Sequence, residues 1–289
     1  MSFRVVIRQR IRIYLSEGHF VRFVRTMEEH RYSANYDQPL LAELYDRSET
    51  YTDDIELIRT LIGKSKPLNI LECFSGTGRI VVPLARDGHT MTGIEIAPAM
   101  NARAVAKVSR LGSNAEGRVK LRVQDVLDGQ WGSGYDLVIM GGNAFYELPS
   151  AQTQERCIQL AYEVLVVGGR LYIDNNDYKG DWGEGPFGKE LVIFEGTGKD
   201  GTLGRWTVEW VKFYGGQRIL HVKRTWYTRD PDGTENSVEH LGRKHPVTAD
   251  EVEGWLKNHN FRVLEVFGDR RGNPYTGKGV RAIFWARKE

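Results

Sequence analysis

Apolar and polar positions along residues 66–180 alternate between short strand-like runs and longer segments of helical period. "LNILEC" (68–73), "TMTGIEI" (90–96) and "YDLVIMGG" (135–142) are short runs bounded by glycine or polar turns, and the last is apolar enough for a sheet centre. "VKLRVQD" (119–125) alternates strictly, and "VGGRLYID" (167–174) supplies a fifth strand. Between them, "GRIVVPLARDG" (78–88), "APAMNARAVAKVSRLG" (97–112) and "AQTQERCIQLAYEVL" (151–165) place apolar residues at helical spacing. Strands alternating with helices predict an α/β fold, a parallel sheet with helices on both faces.

After residue 180 the rhythm changes. "LVIFEG", "RWTVEWVKFYGG", "RILHVKRTWYTR" and "SVEHLGRK" are separated by "GKDG", "YGGQ" and "DPDG", which predicts antiparallel strands joined by hairpins. The strand and helix pattern then resumes. "PVTADEVEGWLKNHN" reads as a helix with Thr248 as N-cap, followed by strands at "FRVLEVFGD" and "VRAIFWARK". The expected organisation is a core at 66–180 and 246–289, with an antiparallel insertion at 181–245 over its open end. Residues 1–65 form an N-terminal helical cap segment, in which arginines interleave with Val, Ile and Phe. Those arginines break any signal-like apolar run. The segment reads as an amphipathic helix pair that lids the domain or forms a homo-oligomer contact, with a basic amphipathic element for an anionic surface or partner as the alternative.

Composition narrows the classes further. The chain has 289 residues, a net charge of +2 and two cysteines, Cys73 and Cys157, too few for a disulfide framework. Its seven histidines form no metal-binding pattern, so no metal is expected. No apolar run approaches the roughly 20 residues of a membrane span. A cytoplasmic protein without strong affinity for nucleic acid or membrane is the expectation.

The chemistry concentrates at strand ends. "ILECFSGTGRI" (70–80) runs from a strand through a turn with Gly76 and Gly78 into a helix, a place where backbone N–H groups meet polar ligands. Glu72 ends the first strand, Glu95 the second and Asp125 the third. Acids at successive carboxyl ends converge on the crevice where such sheets bind ligands. Glu95 suits two ribose hydroxyls and Asp125 a base amino group. Glu72 would repel a dinucleotide's diphosphate but suits a cationic sulfonium that carries an amino group.

This arrangement, "LECFSGTGR…GIEI…VQD", resembles the class I S-adenosylmethionine-dependent methyltransferases over about residues 66–180 and again in the last strands. The resemblance implies a Rossmann-like, seven-stranded, mostly parallel sheet whose last strand is antiparallel, with S-adenosylmethionine as cofactor. It also implies cofactor contacts from Tyr45, Tyr51, Glu72, Phe74, Gly76, Gly78, Glu95, Ile96, Asp125, Val126 and Gly141. Phe74 departs from the usual glycine, where backbone freedom at positive φ is greatest. Tyr45 and Tyr51 lie in "LAELYDRSETYTDDIE" and either close over the cofactor or pack helices.

For the acceptor, the Asn/Asp-Pro-Pro-aromatic motif of nucleic-acid amino methylases is missing, and Cys157 lies mid-helix at a packing position rather than as a nucleophile. "GGRLYIDNN" resembles the strand end of metal-dependent catechol-type enzymes through Asp174 and Asn175, but the aspartate expected after the fourth strand is replaced by Gly141 or Gly142. The closer resemblance, through "GGNAFYELPS" and "GGRLYIDNNDY", is to the glycine, sarcosine and amino-sugar N-methyltransferases. It implies a small-molecule amine faced by Asn143, with Tyr178 beside it and Asn176 where the family has an arginine. Asn143 and Asn176 would otherwise form turns. His240 is a candidate base or a hydrogen-bonded surface residue. Tyr275 and Arg281 fall near the same rim, and Arg281 either replaces the missing carboxylate clamp or pairs with an acid. A metal-independent O-methyltransferase and a non-catalytic cofactor-binding module are the alternatives.

Overall fold

The structure is a computed structural model that describes residues 22–25, 36–64, 66–180 and 185–289. The chain opens with β1 (Arg22–Arg25), then α1 (Pro39–Ser48) and α2 (Asp53–Ile62). Helix α2 starts on Asp53, Asp54 and Glu56, which suit the positive end of its dipole. Within the expected helical cap, Arg22–Arg25 is a strand rather than helix. The rest of the arginine-rich start, and the oligomer contact expected of it, lie outside the described residues.

The core follows as β2 (Asn69–Cys73), α3 (Val81–Arg86), β3 (Thr90–Glu95), α4 (Pro98–Val108), the short α5 (Ser113–Glu116), β4 (Val119–Val123) and β5 (Tyr135–Met140). Next come α6 (Ala151–Val164) and β6 (Leu165–Asn176). Helix α3 is shorter than the periodicity predicts, because the residues after Gly76 are spent on turns before the helix closes. Four strands, β7 (Glu190–Thr197), β8 (Leu203–Tyr214), β9 (Ile219–Arg229) and β10 (Glu235–Lys244), make up the insertion. The chain ends with α7 (Ala249–Asn258), β11 (Phe261–Phe267) and β12 (Arg281–Lys288). Thr248 does cap α7, in a reciprocal capping box with Glu251.

The core sheet has seven strands in the order β11-β12-β6-β5-β2-β3-β4. All core pairings are parallel except those of β12, which runs antiparallel to β6 and β11. Strand β2 lies between β3 and β5, and its Ile70, Leu71 and Cys73 are fully buried. Both faces are covered. One packs under α6 and α7 through residues such as Val138, Ile158 and Leu256, the other under α2 and α3 through Ile58, Leu84 and Ile139. Cys157 is fully buried in the first of these layers, and burial pushes its thiol up, which makes it a packing group.

The insertion forms a second sheet, β1-β10-β9-β8-β7, antiparallel except where β1 joins β10 in parallel. Its inner face meets α1: Leu41 and Leu44 pack against Phe194, Trp206 and Trp226. Burying each such side chain contributes on the order of 2 kcal/mol. Gly204 is needed here, since a Cβ at that position would lie 2.4 Å from the Trp226 ring. Helix α1 also touches α4, so it links the inserted sheet to the helix that follows β3.

Candidate active site

The turn after β2 is built around Glu95. Its Oε2 accepts the Gly76 N–H at 2.9 Å, and its Oε1 accepts the Ala97 N–H at 2.8 Å. A carboxylate has about four acceptor positions, so each oxygen retains capacity for a ligand. Burial raises the Glu95 carboxyl, while the backbone N–H groups of Ala97 and Gly76 oppose the shift. Phe74 takes φ 61°, the left-handed conformation for which glycine is favoured. The sequence departs from glycine here, but the backbone does not. Its ring packs against the core layer beneath α6. Gly78 serves a different need: a Cβ there would come within 3.2 Å of the Ala104 Cβ, so its absence lets α4 pack close.

Asp125 caps the 3-10 turn Val126–Asp128, with Oδ1 accepting the Leu127 N–H at 2.9 Å. Its second oxygen is left for another donor. A cavity of about 230 Å3 opens between this wall and the inserted sheet, of the order expected of a small-molecule site. Of the residues expected to bind cofactor, Tyr45, Phe74, Gly76, Glu95, Ile96, Asp125 and Val126 line it. Gly142 lines it in place of Gly141, where a Cβ would meet Ile80 Cδ1 at 2.8 Å.

Glu72 does not line this cavity. It is buried in β2, and among the described residues its Oε2 has no hydrogen-bond partner. Burial raises its carboxyl well above the ordinary range, with Arg79 opposing. An orphaned buried carboxylate oxygen is costly unless a donor completes it. A cation carrying N–H groups fits that vacancy, and the remaining acceptor positions of Glu95 and Asp125 fit hydroxyls and an amino group.

Asn143 also lines the cavity and also has positive φ, 64°. Its Oδ1 accepts the Asn176 N–H at 2.7 Å, which ties the turn after β5 to the end of β6. The Asn143 NH2 group is the end left for a ligand. Asn176 is thus engaged through its backbone, and its carbonyl accepts from Asn175 Nδ2 at 2.5 Å.

The other expected site residues are not brought to the cavity wall. Arg281 pairs with the buried Asp174, whose second oxygen accepts from Arg270 at 2.7 Å. Arg281 therefore takes the pairing role rather than the clamp, and Asp174 has both oxygens occupied by guanidinium groups. Tyr275 is held by Asp177 and by Lys179 Nζ, the latter at 2.8 Å. Tyr51 is stacked between Arg79 and Arg270, 4.0 and 4.2 Å from its ring centre. Arg79 in turn binds Asp54 with two hydrogen bonds, of 2.8 and 2.5 Å. Tyr178 packs against Phe213, and its N–H donates to Val247 O at 2.9 Å. His240, on β10, lies directly opposite Arg224 on β9. Burial and that guanidinium lower its pKa, so it is neutral at pH 7. Among the described residues, no group of three or more His, Cys, Asp or Glu is placed to hold a metal ion.

Several cavity residues were not singled out from the sequence: Tyr36, Glu147, Leu148 and Arg224. Burial pushes the Tyr36 hydroxyl up to about 12. Glu147 lies just beyond Asn143 in the quoted "GGNAFYELPS" and bonds Arg224 and Lys244, the latter at 3.0 Å. Burial would raise the Glu147 carboxyl, yet Lys244 and Arg224 overcome it and hold the group below its ordinary value. Arg224 was legible in principle, as the one charged residue in the otherwise apolar alternation Leu220, Val222, Arg224, Trp226.

Comparison with known proteins agrees with this geometry. Residues 70–169 match the family model described as "Methyltransferase domain". A candidate methyltransferase of Geobacillus sp. (strain WCH70) is 23% identical over 231 residues, which is 78% of this chain and 87% of that protein. Among solved structures, the sugar N-methyltransferase KedS8 of Streptoalloteichus sp. superposes with a TM-score of 0.67 at 15% identity, covering 96% of this chain and 99% of its own. An S-adenosylmethionine-dependent methyltransferase of Clostridium acetobutylicum gives 0.66 at 13% identity, covering 86% and 98%. The amino pentose methyltransferase CalS10 of Micromonospora echinaspora, solved with S-adenosylmethionine bound, gives 0.60 at 17% identity, covering 88% and 98%. Residues 70–169 thus match a methyltransferase domain, and the chain has the class I fold of these S-adenosylmethionine-dependent methyltransferases.

Proposed function

We propose that the protein transfers a methyl group from S-adenosylmethionine to a nitrogen of a small polar acceptor. The observation that carries this reading is a cavity lined by Glu95, Asp125 and Asn143 together. In it, Glu95 holds two ribose hydroxyls and Asp125 the base amino group, while Glu72, which is not part of the cavity lining, completes its unpartnered oxygen with the ammonium of the methionine end. The cofactor supplies an electrophilic methyl on a sulfonium. The chain's own part is to position the acceptor and exclude water, which accounts for much of the rate in such displacements.

Asn143 is the acceptor-side group that reaches the cavity. With its oxygen fixed by Asn176, it offers N–H donors that orient an oxygen on the acceptor beside the reacting nitrogen. Nitrogen is chosen over oxygen because a sugar N-methyltransferase and an amino pentose methyltransferase are among the proteins this fold resembles, and because an amine delivered neutral needs no strong base. The test is S-adenosylhomocysteine release with amino sugars and other small amines, each run beside its hydroxyl counterpart. Turnover restricted to hydroxyl compounds would replace the reading with O-methylation. Cofactor binding without any turnover would leave a binding module.

A further inference from the structure

The acceptor side of the cavity contains an unused donor. Arg224 is 4% exposed and lies on the inner face of the inserted sheet. Its Nη2 bonds Glu147, but among the described residues its Nη1 has no hydrogen-bond partner. A buried guanidinium N–H without an acceptor costs on the order of 1–3 kcal/mol, so such a group is rarely left so without a ligand. The sheet also keeps space beside it. Gly242 on β10 neighbours Arg224, and a Cβ there would stand 3.1 Å from Nη1.

The charge of the ion-pair cluster that holds Arg224 favours an anion at that end of the cavity, away from the acids assigned to the cofactor. Glu147 is shared by Arg224 and Lys244, so the trio carries one more positive than negative charge. His240, opposite Arg224, adds no negative charge. Asn143, which lines the same cavity, offers its NH2 group, also a donor. Two donors in one cavity, one of them carrying a surplus positive charge, match a carboxylate, which accepts on both oxygens.

We infer that Arg224 Nη1 receives a carboxylate of the methyl acceptor, so that the substrate class is a small amine that also bears a carboxylate. This rests on the methyl-transfer reading above. The inserted sheet then does more than cover the site: it selects the acceptor by charge, from an element distant in sequence from Asn176.

The test uses the full-length protein loaded with S-adenosylhomocysteine, whose binding is measured first by calorimetry. Failure of that step overturns the cofactor reading itself. The loaded protein is then titrated with amino acids and amino-sugar carboxylic acids, each beside its carboxamide. The expected result is saturable binding by at least one carboxylate, at least about tenfold tighter than by its amide, as for one charge-assisted hydrogen bond. In Arg224→Lys, which keeps the charge beside Glu147, that preference should fall by about tenfold while affinity for S-adenosylhomocysteine stays within about twofold. Equal binding of acid and amide, binding of amides alone, no binding by any carboxylate, or an acid preference that survives in both Arg224→Lys and Arg224→Gln overturns the inference.

Discussion

Gly76 and Glu95 are joined by a 2.9 Å hydrogen bond, so the acid that faces the cavity also anchors the turn that forms its floor. Glu95→Ala removes both functions. It should weaken S-adenosylhomocysteine binding by about tenfold or more, through the loss of charge-assisted bonds to the ribose. Calorimetry reads this directly, and unchanged affinity would mean that the ribose does not lie on Glu95.

Glu72 makes cofactor binding a proton-linked event. Burial raises its carboxyl well above the ordinary 4.5, so the free protein keeps it protonated to higher pH. A bound ammonium favours the carboxylate, so the bound state holds fewer protons, and affinity must rise with pH between 4.5 and the raised value. Titrations in buffers of different ionisation enthalpy should show proton release on binding. In Glu72→Gln both the release and the pH slope should fall, leaving only the part contributed by Glu95 and Asp125, whose carboxyls burial also raises.

Phe74 tests the strained turn. At φ 61° a Cβ is unfavourable, by roughly 1–2 kcal/mol. Phe74→Ala and Phe74→Gly both delete the ring and differ only in that Cβ. The glycine variant should be the more stable of the two by about 1 kcal/mol, the reverse of the usual order. Chemical denaturation of both variants decides it, and an alanine variant equal to or above the glycine one counts against the strain.

Glu147 predicts acid sensitivity. Its carboxyl is held below the ordinary value in the folded chain, against the effect of burial, by Lys244 and Arg224. The sign follows: the stabilisation is fully present above the unfolded-state value and is lost as pH falls through the lower folded one. Denaturation midpoints followed downward from pH 7 should show this loss in the wild type. The acid limb should be shallower in Glu147→Gln, which should also be less stable at neutral pH because Arg224 is left buried without its counterion.

These residues show why the sequence revealed one side of the site better than the other. The core sheet was legible because strands such as β2 and β5 are buried on both faces and their apolar runs are short and bounded. The acids at 72, 95 and 125 were legible because parallel topology brings successive strand ends together. Contacts between distant segments were not. Nothing near Arg281 or Tyr275 in the sequence signals Asp174 or Asp177, which hold them. Arg224 and Glu147 are 77 residues apart and meet where the inserted sheet touches the turn after β5. Phe74 is a subtler case: the sequence showed the missing glycine, but only the backbone shows that the left-handed turn is kept without it.

The central claim is methyl transfer to nitrogen, and carbon NMR of a reaction supplied with methyl-13C S-adenosylmethionine tests it most directly. With a panel of small amines, the account predicts a new labelled N-methyl resonance that grows only when protein, cofactor and amine are all present. A labelled O-methyl resonance in its place, or no labelled product while the cofactor is bound, would contradict it.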